Sequence, residues 1–439
     1  MAFSTGFRLP RTCLPAPGID LAKWAVIACD QYTAEPAYWD RVAQQVGDAP
    51  STLQLIFPEV HLGAADAPAR IARIQQAMQR YLAQDLFVER EGAVYVERTV
   101  DGRTRRGLMI ELDLEHYDFS DGSTSLIRPT EGTIVARLAP RIAVRRGAEL
   151  ELPHVLVLID DPDCTVIEPL AAARAALAPL YDTDLMLGGG HVAGFAVDAQ
   201  RGERAAQALD ALARPQVFAA RYGVDAQTPP MLFAVGDGNH SLATAKSIWE
   251  QVRSTVGPDH PSRYALVEVE NIHDPALHFA PIHRLLFGVK ADVRAALAEA
   301  FGPGLSCTDV TSAELMRERV KAMRDSPHSR QAAGLVGPGP RFSVIEIADP
   351  PSTLAVGTLQ PFIDGFVAQG GATEIDYVHG DEVLQRLAQA PGSVGFHIGT
   401  VAKDELLRRV VHEGPLPRKT FSMGEAHEKR YYVEARRIR

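Results

Sequence analysis

Short runs of apolar residues alternate with segments of helical spacing along this chain, and this alternation constrains the fold more than any other feature. Val155–Ile159 and Met231–Val235 are wholly apolar, and each is followed by a polar turn. Such runs are typical of strands buried within a sheet. Helical spacing follows at 168–180, 202–214 and 242–252. The pattern predicts an α/β protein built on a mixed sheet.

The chain is long enough for more than one domain. Its 439 residues correspond to roughly two to three domains of ordinary size. The pattern changes near residue 290, so we predict a domain over 1–290 and a smaller α/β domain over 291–439 whose C-terminal tail folds back over the site. Gly334–Pro340 is rich in glycine and proline and is predicted to be a loop, either a linker or a surface loop within one domain.

The charge balance and the cysteines exclude several classes of protein. With 45 basic and 55 acidic side chains the net charge is −10, which gives no support for nucleic-acid binding. No apolar run approaches the roughly 20 residues of a membrane span, and the first residues do not follow the order of a secretory signal. The cysteines are too few and too widely spaced for a zinc pair or a disulfide framework: Cys13, Cys29, Cys164 and Cys307. We expect a cytoplasmic protein with a small-molecule substrate and no nucleic-acid or membrane partner; its oligomeric state is left open.

Three common catalytic motifs are absent from the sequence: a Gly-Lys-Ser/Thr phosphate loop, His-Glu-x-x-His and Gly-x-Ser-x-Gly. The amino-acid sequence of Gly188–Ala193 matches a dinucleotide-binding fingerprint. The residues after it, Phe195–Val197, have an extended rather than a helical pattern, so the helix that such a site requires is not predicted. A glycine-rich turn is the better interpretation.

The most informative segment follows the second apolar run, where Gly236–Ser241 forms a polar cluster and a helical pattern begins directly afterwards. Strand-to-helix turns place side chains at the edge of a sheet where ligands of α/β proteins bind. The start of a helix also offers backbone N–H groups and a partial positive charge, both suited to phosphate. The same letters equally fit an ordinary turn in which Asn239 or Ser241 caps the helix.

Each residue type in this segment suits a step of phosphate chemistry. Gly236 and Gly238 allow a ligand to approach the backbone closely. Asp237 can hold a metal ion or accept a hydroxyl proton, and His240 can bind a phosphate oxygen or transfer a proton. Lys246 lies within two turns of the helix start and can add positive charge there.

This segment resembles the Ala-Asp-Gly-His-His-Arg sequence of domain-of-unknown-function family 1015. Asp237, Gly238 and His240 match that sequence, whereas Asn239 and Ser241 replace its first histidine and its arginine. Further stretches resemble family landmarks in the same order along the chain: Asp30, Ile127–Thr133, Arg141, Pro281–Leu286 and Leu416–Phe421. The chain is therefore identified as a member of this family over nearly its whole length.

A more distant resemblance connects the segment to the ParB/sulfiredoxin-like superfamily, which includes nucleotide-binding proteins and free-serine kinases. It implies a ParB/sulfiredoxin-like element elaborated by additional α/β segments, with ATP or ADP and Mg²⁺ as cofactors. In such kinases this segment lies at the phosphates and an N-terminal acidic residue acts as base, here Asp30 or Glu35. Glu131 or Asp237 would hold magnesium. Nucleotide contacts are expected from Gly236, Gly238, Asn239, Ser241, Lys246, Arg128, Arg141, His283, Arg284 and Lys419.

Three functions remain open on this basis, and the sequence leaves open whether the chain is an enzyme. The first is a nucleotide-dependent kinase of a small hydroxyl metabolite, serine-like by analogy. The second is a nucleotide-binding regulator without turnover. The third is a hydrolase or transferase that uses Asp237 and His240 without a nucleotide. Structural roles compete with these, since Asp30 also fits a plain turn and Glu131 also fits an ion pair with Arg128 or Arg141.

Overall fold

The computed structural model describes residues 6–135, 138–324, 330–339 and 341–439. The chain forms two compact units. Unit 1 comprises the described residues of Met1–His278, Leu406–Pro415 and Met423–Arg439, and unit 2 comprises those of Phe279–Glu405 and Leu416–Ser422. The predicted boundary at residue 290 falls after the first strand of unit 2, and the C-terminal segment of the chain belongs to unit 1.

The strands follow one another in chain order through both units. They are β1 (Phe7–Arg8), β2 (Arg11–Pro15), β3 (Phe87–Glu91), β4 (Val94–Val100), β5 (Arg103–Asp113), β6 (Ile127–Pro129), β7 (Leu150–Glu151), β8 (Leu156–Ile159), β9 (Ala178–Leu185), β10 (Gly190–Ala196), β11 (Phe233–Asp237), β12 (Tyr264–Asn271), β13 (Phe279–Phe287), β14 (Leu305–Val310), β15 (Arg330–Gly337), β16 (Arg341–Ala348), β17 (Glu374–His379), β18 (Val394–His397), β19 (Phe421–Met423) and β20 (Arg436–Arg437).

The α-helices lie between these strands. They are α1 (Leu21–Trp24), α2 (Pro36–Val46), α3 (Ala67–Ala83), α4 (Leu138–Arg146), α5 (Glu168–Ala172), α6 (Ala199–Leu212), α7 (Pro215–Tyr222), α8 (Asn239–Val256), α9 (Val293–Phe301), α10 (Ala313–Arg324), α11 (Ala355–Ala368), α12 (Asp381–Ala388) and α13 (Lys403–Glu413). Within the described part of the chain, no helix combines the length and the apolar character needed to cross a membrane.

The main sheet of unit 1 has the strand order β6-β11-β8-β12-β5-β4-β10-β9, with β1 beside β5. β11 runs parallel to β6 and antiparallel to β8, and β8 runs parallel to β12. The two apolar runs of the sequence supply β8 and β11, whose side chains Val157 and Phe233 are fully buried in one core. The predicted mixed α/β sheet is thus confirmed.

The sheet of unit 2 has the order β14-β16-β15-β18-β13-β17, and all of these neighbours are antiparallel. Two separate apolar clusters involve its helices. Leu297 of α9 and Leu359 of α11 belong to one cluster, while Met316 of α10 and Leu384 of α12 belong to the other. The sheet is therefore packed between two pairs of helices, which is the arrangement that buries both faces of a sheet.

Two local predictions are wrong. The helical pattern at 168–180 forms α5 and a short 3-10 helix, Arg174–Ala176, and Ala178 already begins β9. The cause is tertiary, because the neighbouring strand β10 supplies hydrogen-bond partners to β9 that a local pattern cannot reveal. The predicted loop over Gly334–Pro340 is wrong for residues 334–337, which lie inside β15; residues 338–339 form a turn, and Pro340 lies outside the described residues. A Cβ at Gly334 would lie 2.5 Å from Sδ of Met316, so this glycine permits close packing of α10 on the sheet.

Candidate functional site

The predicted strand, turn and helix are present at the end of β11. Gly238 is the only residue between β11 and α8, and its φ of +79° lies in the left-handed region. A Cβ there would come 3.0 Å from the Cα of Val155. A side chain at this position would therefore be strained both by the left-handed backbone and by the contact with Val155. Oδ1 of Asp237 accepts the N–H of Gly238 at 3.0 Å. The turn therefore holds the Asp237 carboxylate at the beginning of a helix.

A buried lysine from the C-terminal segment of the chain contacts this carboxylate. Nζ of Lys429 lies 3.1 Å from Oδ2 of Asp237, and only 7% of the lysine side chain is exposed. Lys429 was not predicted from the sequence, because it lies 192 positions after Asp237 and belongs to no motif. Only the fold of the C-terminal segment brings the two together.

Asp30 lies in the same electrostatic environment. Burial alone would raise the pKa of Asp30, but His154, the side-chain amide of Gln31 and the charge of Lys429 together lower it. The Gln31 amide donates to Oδ1 of Asp30 at 3.0 Å. The carboxyl group is therefore ionised at neutral pH. Glu35, the other candidate base, is exposed at the start of α2.

A chain of hydrogen bonds passes through His154. Oγ of Ser241 lies 2.9 Å from Nε2 of His154, and the hydroxyl of Tyr432 lies 2.8 Å from Nδ1 of the same ring. The Tyr432 hydroxyl also accepts the N–H of Cys29 at 3.1 Å. Ser241 replaces the arginine of the family motif, and its hydroxyl orients the imidazole of His154. His154 and Tyr432 were missed because no motif of the sequence includes them.

Arg141 is paired with the carboxylate of Glu59, which the sequence did not predict. Its guanidinium lies 2.5 Å from Glu59, and both side chains are mostly buried. Burial raises the pKa of Glu59, the nearby Asp30 raises it further, and the charge of Arg141 opposes both. The backbone N–H of Glu59 donates to the carbonyl oxygen of Cys29 at 2.7 Å, which joins this pair to the segment that carries Asp30.

A cavity of about 150 Å³ opens beside these groups. Its polar lining includes Glu59, Arg141, His154 and Ser241, and its apolar lining includes Leu242. A cavity of this size can hold an organic group as large as benzene. The site can therefore receive a small molecule next to the first turn of α8.

Three predicted residues lie close to the turn in the sheet or along the helix. Nε2 of His240 accepts the N–H of Ile134 at 3.4 Å. Oδ1 of Asn239 is buried without a hydrogen-bond partner. Glu131 follows β6, and because β6 is parallel to β11 it leaves the sheet at the same edge as Asp237. Their roles toward a nucleotide or a metal ion stay predictions.

Three other predicted residues of unit 1 have contacts within the fold. The Arg128 guanidinium donates to the backbone carbonyls of Ser125, Thr124 and Pro229. Nζ of Lys246 donates to the Leu114 carbonyl at 2.9 Å. The space that a side chain at Gly236 would need is filled by Met423 and Leu158. The structure thus uses Arg128 and Lys246 to satisfy buried carbonyls, and Gly236 for close packing.

The remaining predicted nucleotide contacts belong to unit 2. Arg284 is buried, donates to Gln360 at 2.8 Å and donates to the carbonyl of Lys419 at 2.9 Å. His283 lies in a cluster with Asp381 and His397, and this is the one group of three or more metal-ligand side chains found among the described residues. Neither Glu131 nor Asp237 belongs to that group.

Taken together, fold and site define a mixed α/β protein with a buried, charged pocket at a strand-to-helix turn. The chain belongs to the family described as "Protein of unknown function (DUF1015)", whose model matches residues 13–366. The predicted family membership is confirmed. No curated protein matches the chain.

Several solved structures share a remote likeness with the chain. A free serine kinase in complex with AMP has 12% sequence identity and a TM-score of 0.38, covering 74% of this chain and 90% of that chain. A conserved hypothetical protein from Pyrococcus furiosus has 12% identity and a TM-score of 0.36 with the same coverage. SbnI with a C-terminal truncation from Staphylococcus aureus has 11% identity and a TM-score of 0.34, covering 71% and 84%.

Proposed function

We propose that unit 1 binds a nucleotide, ATP or ADP, at the Asp237 turn and transfers its terminal phosphoryl group to the hydroxyl of a small, serine-like metabolite. The observation that carries this proposal is the meeting of Asp30, His154, Asp237 and Lys429 at the start of α8. These side chains come from distant parts of the sequence. They supply both signs of charge in a partly buried place, as phosphoryl transfer requires.

The phosphate-binding part of the proposal rests on the helix start and on Lys429. The first turn of an 18-residue helix offers backbone N–H groups and a partial positive charge. Lys429 adds a full positive charge that burial keeps from being screened by solvent. A phosphate at this place would compete with Asp237 for the lysine, so Lys429 can move from one anion to the other without leaving the site.

Asp30 is the better of the two candidate bases. Its lowered pKa means that it is a carboxylate at neutral pH, able to accept the hydrogen bond of an acceptor hydroxyl. Phosphoryl transfer passes through a loose transition state in most analyses, so orienting the hydroxyl matters more than strong basicity. The cavity lined by Arg141 and Ser241 provides the space for the acceptor molecule.

Magnesium fits the oxygen donors at this edge of the sheet. Asp237 and Glu131 are carboxylates, the ligand type that Mg²⁺ prefers, and both lie where the parallel strands β6 and β11 end. When bound, the ion would neutralise charge on the transferred phosphoryl group. Glu131 and Asp237 would then hold it, while Lys429 and the helix start bind the phosphates.

The direct test incubates the purified chain with ATP or ADP, Mg²⁺ and a panel of hydroxy amino acids, and follows product by ³¹P NMR and mass spectrometry. We expect a phosphorylated product with the wild type and a loss of at least about 100-fold with Asp30→Asn. Glu35→Gln should retain activity because that side chain is exposed at the start of α2. Asp48→Asn, at an exposed position away from the turn, is the matched control.

Other outcomes of this experiment separate the alternatives. A nucleotide that raises the melting temperature without any product would contradict the kinase and favour a regulatory nucleotide-binding protein. If no nucleotide shifts the melting temperature, nucleotide binding is excluded, and the remaining alternative is a hydrolase or transferase that uses Asp237 and His240.

A further inference from the structure

Three side chains of unit 2 lie close to one another. His283 lies on β13 and His397 ends the adjacent antiparallel strand β18. In the register of these strands Arg284 pairs with Phe396, which sets His283 opposite His397. Asp381 is the first residue of α12, the helix that packs on this part of the sheet. The strands β13 and β18 therefore supply one imidazole each, and α12 supplies a carboxylate, to the same place in unit 2.

The distances between these groups are short. Oδ1 of Asp381 lies 3.0 Å from Nε2 of His283 and 2.9 Å from Nε2 of His397. The two imidazole rings are stacked with their centroids 4.7 Å apart. One ligand atom from each residue lies within 4.8 Å of the other two.

Well-aligned hydrogen bonds do not join these three groups. Oδ1 of Asp381 and Nε2 of His283 are buried without a hydrogen-bond partner, although they are only 3.0 Å apart. The ring N–H direction therefore misses the carboxylate oxygen. Ligand atoms around a tetrahedral zinc ion are separated by about 3.3 Å, and their lone pairs point at the ion rather than at each other. The distances of 3.0 and 2.9 Å between Oδ1 of Asp381 and the two ring nitrogens are close to this separation between ligand atoms.

The surroundings suit a bound cation. His283 is fully buried and 8% of the His397 side chain is exposed, whereas 37% of the Asp381 side chain is exposed. The cluster is thus anchored in the sheet, and part of the Asp381 side chain reaches solvent. Nε of Arg317 lies 3.8 Å from the second oxygen of Asp381 and places a positive charge beside the carboxylate.

We propose that His283, Asp381 and His397 form a binding site for a divalent transition-metal cation, for which zinc is the appropriate probe. Two imidazole nitrogens and one carboxylate oxygen are a donor set that suits zinc and its neighbours in the first transition series, not magnesium or calcium. The site is independent of the function proposed for unit 1.

Binding requires one change within the site. Nδ1 of His283 accepts the backbone N–H of Ile398 at 3.1 Å. Coordination through Nε2 places the remaining ring proton on Nδ1, so this hydrogen bond has to open when the metal binds. The amide of Ile398 is therefore a specific reporter of occupancy, and the opening keeps the affinity below that of a site whose imidazoles are already in the binding tautomer.

The test titrates untagged, EDTA-treated protein with Zn²⁺ in competition with a chromophoric chelator. The wild type should bind one equivalent at this site, and Asp381→Asn should weaken binding by about 100-fold or more, since it removes a ligand charge. Glu382→Gln is the matched control, because it removes an exposed acidic charge from the same turn of α12. With ¹⁵N-isoleucine labelling, the Ile398 amide signal, assigned through Ile398→Val, should shift on zinc addition.

A structural cluster without a metal would give different results. Asp381→Asn would then lower the stability of the metal-free protein and leave any zinc binding unchanged, and the Ile398 amide would not respond. Zinc binding that Asp381→Asn leaves unchanged, or an Ile398 amide that does not respond to zinc, overturns the proposal. Should Asp381→Asn fail to fold, His397→Gln tests the same prediction from the second strand. Phosphoryl transfer by unit 1 is measured separately, so failure of one proposal does not affect the other.

Discussion

At the scale of single residues, the candidate site of unit 1 consists of charges that would be costly if left unpaired. Lys429 is buried against Asp237, and Arg141 is buried against Glu59. Removing one partner of such a pair leaves the other charge in a poorly solvated place. A phosphate or carboxylate ligand can replace the carboxylate of such a pair as the partner of Lys429 or Arg141, so paired charges of this kind suit an anionic substrate.

The Lys429–Asp237 pair gives the first prediction. Lys429→Met should lower the free energy of unfolding by about 2 kcal/mol, less than for a fully buried pair because 24% of the Asp237 side chain is exposed. It should also abolish the nucleotide-induced rise in melting temperature. Adding Asp237→Asn should restore most of the stability measured by urea unfolding but not the nucleotide response. Unchanged nucleotide binding in the single variant would exclude Lys429 from the site.

The lowered pKa of Asp30 gives a second prediction, with a defined sign. Its folded pKa lies below the unfolded value of about 3.9, so the stabilisation is fully present above that pH and is lost as the pH falls through the folded pKa. The stability difference between the wild type and Asp30→Asn should therefore be constant from about pH 5 to 7 and decrease below about pH 4. Urea unfolding as a function of pH measures it. A difference that grows on acidification would contradict the assignment.

At the scale of elements, the turn between β11 and α8 determines where the site residues stand. The turn has a single residue, so the direction in which α8 leaves the sheet depends on the backbone of Gly238. A left-handed φ costs a non-glycine residue about 1 kcal/mol or more. The strand and helix around it are set by local hydrophobic patterning, and the sequence predicted both.

Gly238→Ala is the corresponding experiment. Gly223, the cap of α7, has a similar left-handed conformation and no neighbour within 4 Å of an added Cβ, so Gly223→Ala is the matched control. We expect a loss of about 1 kcal/mol for the control and about 2–3 kcal/mol for Gly238→Ala, because Val155 obstructs its Cβ. Only Gly238→Ala should also weaken nucleotide binding. Equal costs in urea unfolding would mean that the turn relaxes freely around Val155.

At the scale of the whole molecule, unit 1 is completed by residues from the far end of the chain. Arg430 pairs with Glu268 and Glu434, and Arg436 pairs with Glu111 and Glu151. All of these side chains are buried. The C-terminal segment is therefore an integral part of the core of unit 1, and it also delivers Lys429 to Asp237.

A chain that ends at Ser422 should consequently lose the cooperative unfolding of unit 1. The shorter chain lacks Arg430 and Arg436, so Glu268 would lose its arginine partner, and Glu111 and Glu151 would keep only Arg8 and Arg145 among the described residues. Each broken buried pair costs roughly 3–5 kcal/mol. Calorimetry and near-ultraviolet circular dichroism would register the loss. A chain that ends at Ile438 is the control and should unfold like the wild type. Survival of the unit 1 transition in the shorter chain would contradict this role of the segment.

The sequence by itself determined the mixed α/β sheet, the family, and the strand, turn and helix around Asp237. These follow from patterns of neighbouring residues, because apolar periodicity and turn chemistry act over a few positions. Only the tertiary structure decided that Lys429 and His154 join Asp237, that Arg128 and Lys246 satisfy backbone carbonyls, and that His283 meets Asp381 in unit 2. Those contacts join residues far apart in the chain. Which side chains meet there depends on how whole elements pack to bury their apolar faces, and no local pattern contains that information.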